Sequence, residues 1–203
     1  MKPYYQDASI TIYCGDCRAI LPSLEKVDLL LTDPPYGIGF AAQPTLWQRR
    51  KGAIAVSWDD KPPDESLILQ IVAMGETAIV WGGNYFWLSP ARCWLSWHKP
   101  DAPPSMGNVE YAWTNMDRNS RQMSRSISAT NAERVGHPTQ KPLSVMQWCL
   151  GFVPNAKTIL DPFMGSGTTL VAAKLEGRKA IGIEINEKYC EIAAERLRQG
   201  VLF

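Results

Sequence analysis

Asp33-Pro34-Pro35-Tyr36 gathers a carboxylate, two ring-locked backbone units and an aromatic ring into one short turn. The Asp33 carboxylate and the main-chain carbonyl of Pro34 are both hydrogen-bond acceptors, and the stiff Pro-Pro backbone fixes the second in place. Two acceptors so held suit a group with two N–H hydrogens, such as an exocyclic amine on a ring. That amine is a poor nucleophile, because its lone pair is delocalised. Drawing both hydrogens onto acceptors moves the nitrogen towards sp³ and aims the lone pair, which is positioning and electrostatic preorganisation rather than proton abstraction. Tyr36 offers a planar partner a face for stacking. Farther along, Asp161-Pro162-Phe163-Met164-Gly165-Ser166-Gly167-Thr168-Thr169 has glycines where backbone must approach a ligand closely, and Thr168 or Thr169 can cap a following helix.

Both turns need strands to carry them. Asp33 follows the apolar run Val27–Thr32, and Thr158-Ile159-Leu160-Asp161 runs into the glycine turn. In an open parallel sheet, two such strand ends face one crevice. Apolar and β-branched stretches predict seven strands, at Ile10–Cys14, Asp28–Thr32, Thr77–Trp81, Cys93–His98, Val109–Thr114, Thr158–Asp161 and Ala180–Glu184. Helical spacing falls at Glu65–Gly75, Leu143–Phe152, Thr168–Glu176 and Glu187–Gln199. The expected fold is therefore α/β: one doubly wound, mostly parallel seven-stranded sheet with helices on both faces, in a single domain over residues 1–203.

Glycine-rich turns often hold nucleotides, and the details narrow the choice. A dinucleotide site needs G-x-G-x-x-G, whereas this chain reads Gly-Ser-Gly-Thr-Thr-Leu; a P-loop is excluded because no Gly-Lys-Ser/Thr is present. Glu184 closes the next strand, where a carboxylate can accept hydrogen bonds from both hydroxyls of a ribose; read blandly, it is a helix-start acid near Asn186.

Composition adds bounds. The formal net charge of +1 leaves any polyanion grip to local clusters of basic residues. No signal-peptide core or membrane-spanning run is found, so a cytoplasmic protein is expected. Five cysteines without a secretion signal fit a reduced compartment, and Cys14-x-x-Cys17 lacks the further ligands of a zinc site, so no metal is expected.

The two turns, in this order, resemble motifs IV and I of the S-adenosylmethionine-dependent amino DNA methyltransferases, in the permuted order of the β class. Gly15-Asp16-Cys17 is similar to the third motif, His137-Pro138-Thr139-Gln140-Lys141-Pro142 to motif X, and Gly182-Ile183-Glu184-Ile185 follows the glycine turn in its expected place. The resemblance implies a Rossmann-like methyltransferase fold of prokaryotic or phage origin and S-adenosylmethionine as cofactor. It assigns Asp33, Pro34, Pro35 and Tyr36 to catalysis. Asp161, Phe163 and Gly165, with Ser166, Gly167 and Thr168, would line the methionine and ribose side, Asp16 with Cys17 the adenine, and Lys141 with Thr139 the cofactor carboxylate. His137 reads as a turn residue. Trp81-Gly82-Gly83-Asn84 and Trp97-His98-Lys99-Pro100 resemble the strand ends beside the target-base pocket. Trp47 and Trp97 are candidates to meet the base, while Trp87 and Trp94 read as packing residues.

Double-stranded DNA is the implied partner, with the target base swung out of the stack to reach the pocket. Aspartate at the head of the motif favours the N6 amine of adenine. The N4 amine of cytosine stays open, as do RNA, protein glutamine (whose relatives usually begin the motif with asparagine) and a catalytically dead DNA-binding relative. Two long segments, 39–60 with Arg49, Arg50 and Lys51 and 115–136 with Arg118, Arg121 and Arg125, fit no element. Both are expected to project as loops from the carboxyl edge, either as solvated surface or as arms that grip DNA. So little material for reading bases implies a short or relaxed recognition sequence. The resemblance also allows a homodimer and a partner restriction enzyme.

Overall fold

The computed structural model describes residues 2–37, 61–104, 106–132 and 140–199. Arg49, Arg50, Lys51, Trp47, His137 and Thr139 lie outside the described residues. The strands are β1 (Tyr5–Gln6), β2 (Ile10–Cys14), β3 (Val27–Thr32), β4 (Gly75–Trp81), β5 (Trp94–His98), β6 (Val109–Thr114), β7 (Arg121–Ser124), β8 (Thr158–Asp161) and β9 (Lys179–Glu184). The helices are α1 (Cys17–Ile20), α2 (Glu65–Val72), α3 (Ile127–Ala132), α4 (Leu143–Leu150), α5 (Thr168–Leu175) and α6 (Glu187–Arg198), with short 3-10 turns at Leu21–Ser23 and Gly83–Tyr85.

All these strands join one nine-stranded sheet in the order β1-β2-β9-β8-β3-β4-β6-β5-β7. The neighbours from β2 to β4 run parallel, β6 is antiparallel to both β4 and β5, and β7 lies parallel to β5. The α/β, mostly parallel architecture is as expected; among the described residues the sheet has nine strands where seven were expected. The two extra strands are edges. β1 has two residues, and β7 has a mostly exposed Arg-Gln-Met-Ser sequence with no apolar alternation to announce it.

β3 shows how the layers form. Leu29 and Leu31 face one hydrophobic cluster, with Val145 and Cys149 of α4, Ala172 of α5 and Ala193 of α6. Leu30 faces the other, with Ile20 of α1, Leu67 and Ile71 of α2, and Ile183 of β9. Alternation along a strand thus supplies both faces of the sheet. Each fully buried leucine contributes about 1.5–3 kcal/mol. Asp28 pins the start of β3 to β8: its carboxylate accepts from the N–H groups of Lys157 (2.7 Å) and Thr158 (2.8 Å). Side-chain caps hold helix starts, with Asp64 Oδ1 accepting from the N–H of Leu67 at 2.9 Å on α2 and Asn186 from Lys188 on α6. No helix among the described residues is long and apolar enough to cross a membrane.

Candidate active site

β3 and β8 are adjacent and parallel, so the Asp-Pro-Pro-Tyr turn and the glycine turn leave the sheet side by side. At the first turn, Tyr36 Oη donates to Asp33 Oδ1, and Lys141 Nζ donates to Asp33 Oδ2 at 2.6 Å. Lys141 Nζ also reaches Tyr36 Oη at 3.1 Å and Glu110 Oε2 at 3.0 Å. Its side chain is only 5% exposed, with the rings of Trp81 and Tyr36 at 5.4 and 5.5 Å. An ammonium has three hydrogens, and three acceptors are already in place. Lys141 therefore sits on Asp33. Its ammonium is engaged here with Asp33, Tyr36 and Glu110, where the resemblance assigned it to the cofactor carboxylate.

Electrostatics follow from burial and pairing. Burial pushes the Asp33 carboxyl above its ordinary range, opposed by the Lys141 ammonium and reinforced by the Glu110 carboxylate. Burial alone would discharge Lys141, but Asp33 and Glu110 outweigh it and hold the ammonium well above the usual lysine value. Glu110 is subject to the same burial, yet Lys141 and Lys99 keep it down at about 2.

The Tyr36 ring is covered. Gly82 lies against it so closely that a Cβ there would collide with the ring, and Tyr85 stacks on it with centroids 5.0 Å apart and planes 13° from parallel. Tyr85 itself is 49% exposed, so the open aromatic face at this rim belongs to Tyr85 rather than to Tyr36. Trp87, expected as packing, is 83% exposed on the same connection; Trp97, expected near the base, is buried with Nε1 donating to the Arg125 carbonyl at 2.9 Å. Trp94 is half-buried against the core, as expected.

The second turn is built from its own backbone. Gly165 and Gly167 have φ of +50° and +78°, a region that favours glycine. Gly167 is the residue preceding α5 and no side chain caps that helix, so the expected threonine cap is not formed. Thr168 and Ser166 face inward instead, where Arg196 of α6 donates to the Ser166 carbonyl and to Thr168 Oγ1 (3.3 Å). Asp161 is 2% exposed and accepts from Thr32 Oγ1 at 2.8 Å and from the N–H of Phe163 at 3.2 Å. Glu184 accepts from the N–H groups of Gly165 (3.1 Å) and Asn186 (2.7 Å). Burial raises Asp161 to about 6 and Glu184 to about 7.

The N–H of Gly15 donates to the Glu184 carbonyl at 2.9 Å, bringing Asp16 beside this turn, where its carboxylate caps α1 through the N–H of Arg18. Cys17 packs into the core with Ile20 and Ile183, and burial pushes its thiol up to about 11. The expected loop at 115–136 is corrected too, since it holds β7 and α3. Arg118 donates to the Phe152 carbonyl beyond the far end of α4, away from Lys141 at the near end. Arg121 lies on the outermost strand, while Arg125 follows β7 beside His98.

Glu110 and Arg196 escaped the sequence reading, and Lys99 entered it only as part of the Trp97–Pro100 strand end. An acid in the otherwise apolar Val109–Thr114 run was the available signal for Glu110.

A family model described as DNA methylase, of the N6/N4 methyltransferases, matches residues 76–195. "Putative methylase YubD" of Escherichia coli (strain K12) is 49% identical over 208 residues, covering 90% of this chain and 88% of its own length. Type II methyltransferase M.ScaI of Streptomyces caespitosus is 26% identical over 259 residues, covering 97% of this chain and 84% of its own. Among solved structures, the M1.HpyAVI–SAM complex aligns with a TM-score of 0.63 at 23% identity, over 92% of this chain and 99% of that one. PvuII DNA methyltransferase (cytosine-N4-specific) aligns with a TM-score of 0.57 at 17% identity, over 98% and 96%. These structures share the fold. With the family model spanning more than half of the sequence, and a relative 49% identical over 90% of it, the chain belongs to the N6/N4 DNA methylase family, amino methyltransferases of DNA.

Proposed function

We propose that this chain transfers a methyl group from S-adenosylmethionine to the N6 amine of adenine in duplex DNA. One observation carries the reading: the Asp33 carboxylate stands one strand from the glycine turn, with each oxygen held by a single donor. A carboxylate oxygen has two lone pairs, so capacity remains to accept an amine hydrogen. The carbonyl of Pro34 is the second acceptor in this reading.

The residues around the glycine turn suit the cofactor. Glu184, ionising near neutrality at the end of β9, is an acceptor for ribose hydroxyls, and Asp16 beside it is an acceptor for an adenine amine. Phe163 and the backbone from Gly165 to Gly167 supply the remaining wall. When bound, S-adenosylmethionine supplies a methyl group on a sulfonium centre, which leaves as a neutral thioether while the amine lone pair forms the new N–C bond. The amine nitrogen gains positive charge in that step, and Asp33 stabilises it and takes the proton shed afterwards.

Asp33 is only 20% exposed, so a base inside a duplex must leave its stack to reach it. Tyr85 then provides the stacking surface. Aspartate at the head of the turn favours adenine, while the N4 amine of cytosine offers the same two hydrogens. Arg121 and Arg125, with Arg49, Arg50 and Lys51, grip the phosphates in this reading, and the recognition sequence is short.

The test is transfer of labelled methyl from S-adenosylmethionine to duplex DNA, followed by nucleoside analysis. Label in N6-methyladenine is expected, with Asp33→Ala abolishing turnover and keeping cofactor affinity. Label in N4-methylcytosine would change the target; normal turnover by Asp33→Ala would overturn the mechanism.

A further inference from the structure

Glu110 has no part in the reading above, yet it completes a buried chain of charges behind Asp33. Its Oε2 lies 3.0 Å from Lys141 Nζ, and its Oε1 accepts from Lys99 Nζ at 2.8 Å. Lys99 is itself buried, with Nζ 5.3 Å from the centre of the Trp97 ring. The order is Asp33, Lys141, Glu110, Lys99: two carboxylates and two ammonium groups in alternation, whose formal charges cancel. Four separate stretches of chain deliver them. Asp33 follows β3, Lys141 precedes α4, Lys99 follows β5, and Glu110 is near the start of β6. The reversed direction of β6 brings its beginning, rather than its end, to this rim.

We propose that Glu110 is a positioning residue for methyl transfer, sharing the Lys141 ammonium with Asp33 so that Asp33 is oriented by a cation without being neutralised by it. This rests on the reading of Asp33 as acceptor for the target amine. The amine nitrogen becomes positive as it is methylated. A lysine paired with Asp33 alone would spend the carboxylate's charge on the ammonium and leave only a neutral pair to meet that positive nitrogen in a desolvated site, where charges act strongly. Glu110 balances Lys141, and Lys99 in turn keeps Glu110 from being an uncompensated anion. The three acceptors around Lys141 also fix its direction, and through it the plane of the Asp33 carboxylate. Among the described residues, the other ionisable groups acting on Asp33 and Lys141 are Tyr36 on the same turn, Asp161 of β8 and Cys149 of α4.

Removing either neighbour moves Asp33 in opposite directions. Lys141→Met deletes the cation that favours its ionised form, and Glu110→Gln deletes the anion that opposes it. The experiment measures kcat, KM and the pH profile of kcat/KM for these two variants and for Lys141→Arg, with S-adenosylmethionine and duplex DNA. S-adenosylmethionine affinity is measured separately by calorimetry. Glu110→Gln should lower kcat by about 10²-fold, with cofactor affinity within about twofold, since none of its contacts reach the glycine turn. The acid limb of the profile should shift to lower pH in Glu110→Gln and to higher pH in Lys141→Met. Lys141→Arg should recover part of the rate lost in Lys141→Met.

A purely structural role would weaken folding without opposite limb shifts. Lys99→Met, which leaves every direct contact of Asp33 intact, should move the limb in the same direction as Lys141→Met but by less. It keeps the test open if Glu110→Gln folds poorly. Limbs that stay put or move together overturn the inference, as does a loss confined to cofactor affinity, which would return Lys141 to the cofactor. Wild-type transfer to DNA and inactive Asp33→Ala test the reaction itself, so normal kcat in Glu110→Gln against that background removes only the present inference.

Discussion

Thr32 Oγ1 donates to Asp161 Oδ1 at 2.8 Å, so a side chain ties the strand ending in the Asp-Pro-Pro-Tyr turn to the strand ending in the glycine turn. Both residues are fully or almost fully buried. Thr32→Val keeps the shape and deletes the donor, leaving a buried carboxyl short of a partner. Stability should fall by about 1–3 kcal/mol, read from denaturant unfolding, and the pKa of Asp161 should rise further. An unchanged midpoint would mean that the bond carries no net stabilisation.

The two raised carboxyls give stability a definite pH dependence. Asp161 at about 6 and Glu184 at about 7 are both lifted by burial above their ordinary values near 4. Between those values and about pH 7 the folded state holds more protons than the unfolded one. Their contribution to stability is therefore present at low pH and lost as pH rises through the window. Glu110 and Asp64, both held at about 2 in the fold, act in the opposite sense, and only at more acid pH. Unfolding free energies at pH 5 to 8 should decline with pH in this window, less steeply in Glu184→Gln. If ribose hydroxyls donate to Glu184, S-adenosylmethionine affinity should rise over the same range in the wild type and stay flat in Glu184→Gln.

Tyr85 covers the ring expected to meet the target base, and its own outer face is open. Tyr85→Ala should raise KM for duplex DNA by about tenfold, in line with a stacking loss of roughly 1–3 kcal/mol per base, with cofactor affinity unchanged. Tyr85→Phe should behave like wild type. A normal KM in Tyr85→Ala would place the base elsewhere.

The arginines of the 115–136 segment divide by position. Arg118 donates to the Phe152 carbonyl past the far end of α4, and Arg125 follows β7 beside the end of β5. Arg125→Ala should weaken binding to all DNA sequences alike and reduce the slope of log affinity against log salt by about one. Arg118→Ala should leave both unchanged. Equal losses in the two variants would show that DNA extends to the Phe152 side.

Much of the site's frame was legible because it is local. β3, β8 and β9 are short apolar runs, each stopping at a turn or a helix start, and the pattern marks them directly. What failed is what spacing along one chain does not contain. Gln140 and Lys141 are neighbours in sequence, and Ser166 Oγ donates to Gln140 Oε1 at 3.4 Å at the glycine turn. The longer Lys141 side chain leaves in another direction and ends on Asp33. Glu110 sits on an antiparallel strand, so its meeting with Lys141 depends on strand order, which no local period encodes. Cys17 follows Asp16, and the turn of helix beginning there rotates its side chain into the core. β7 was hidden because an edge strand exposed to water has no need of apolar alternation.

β8 and β9 lie between β2 and β3, so the late part of the chain fills a two-strand gap in the early part. A polypeptide cut between α3 and α4 would give one fragment with a split sheet and another with an unsupported ribbon. Neither owns the crevice, and activity should return only when the two reassemble. By the same logic, joining the ends and opening the chain elsewhere rearranges the motifs in sequence while leaving their neighbours in space untouched.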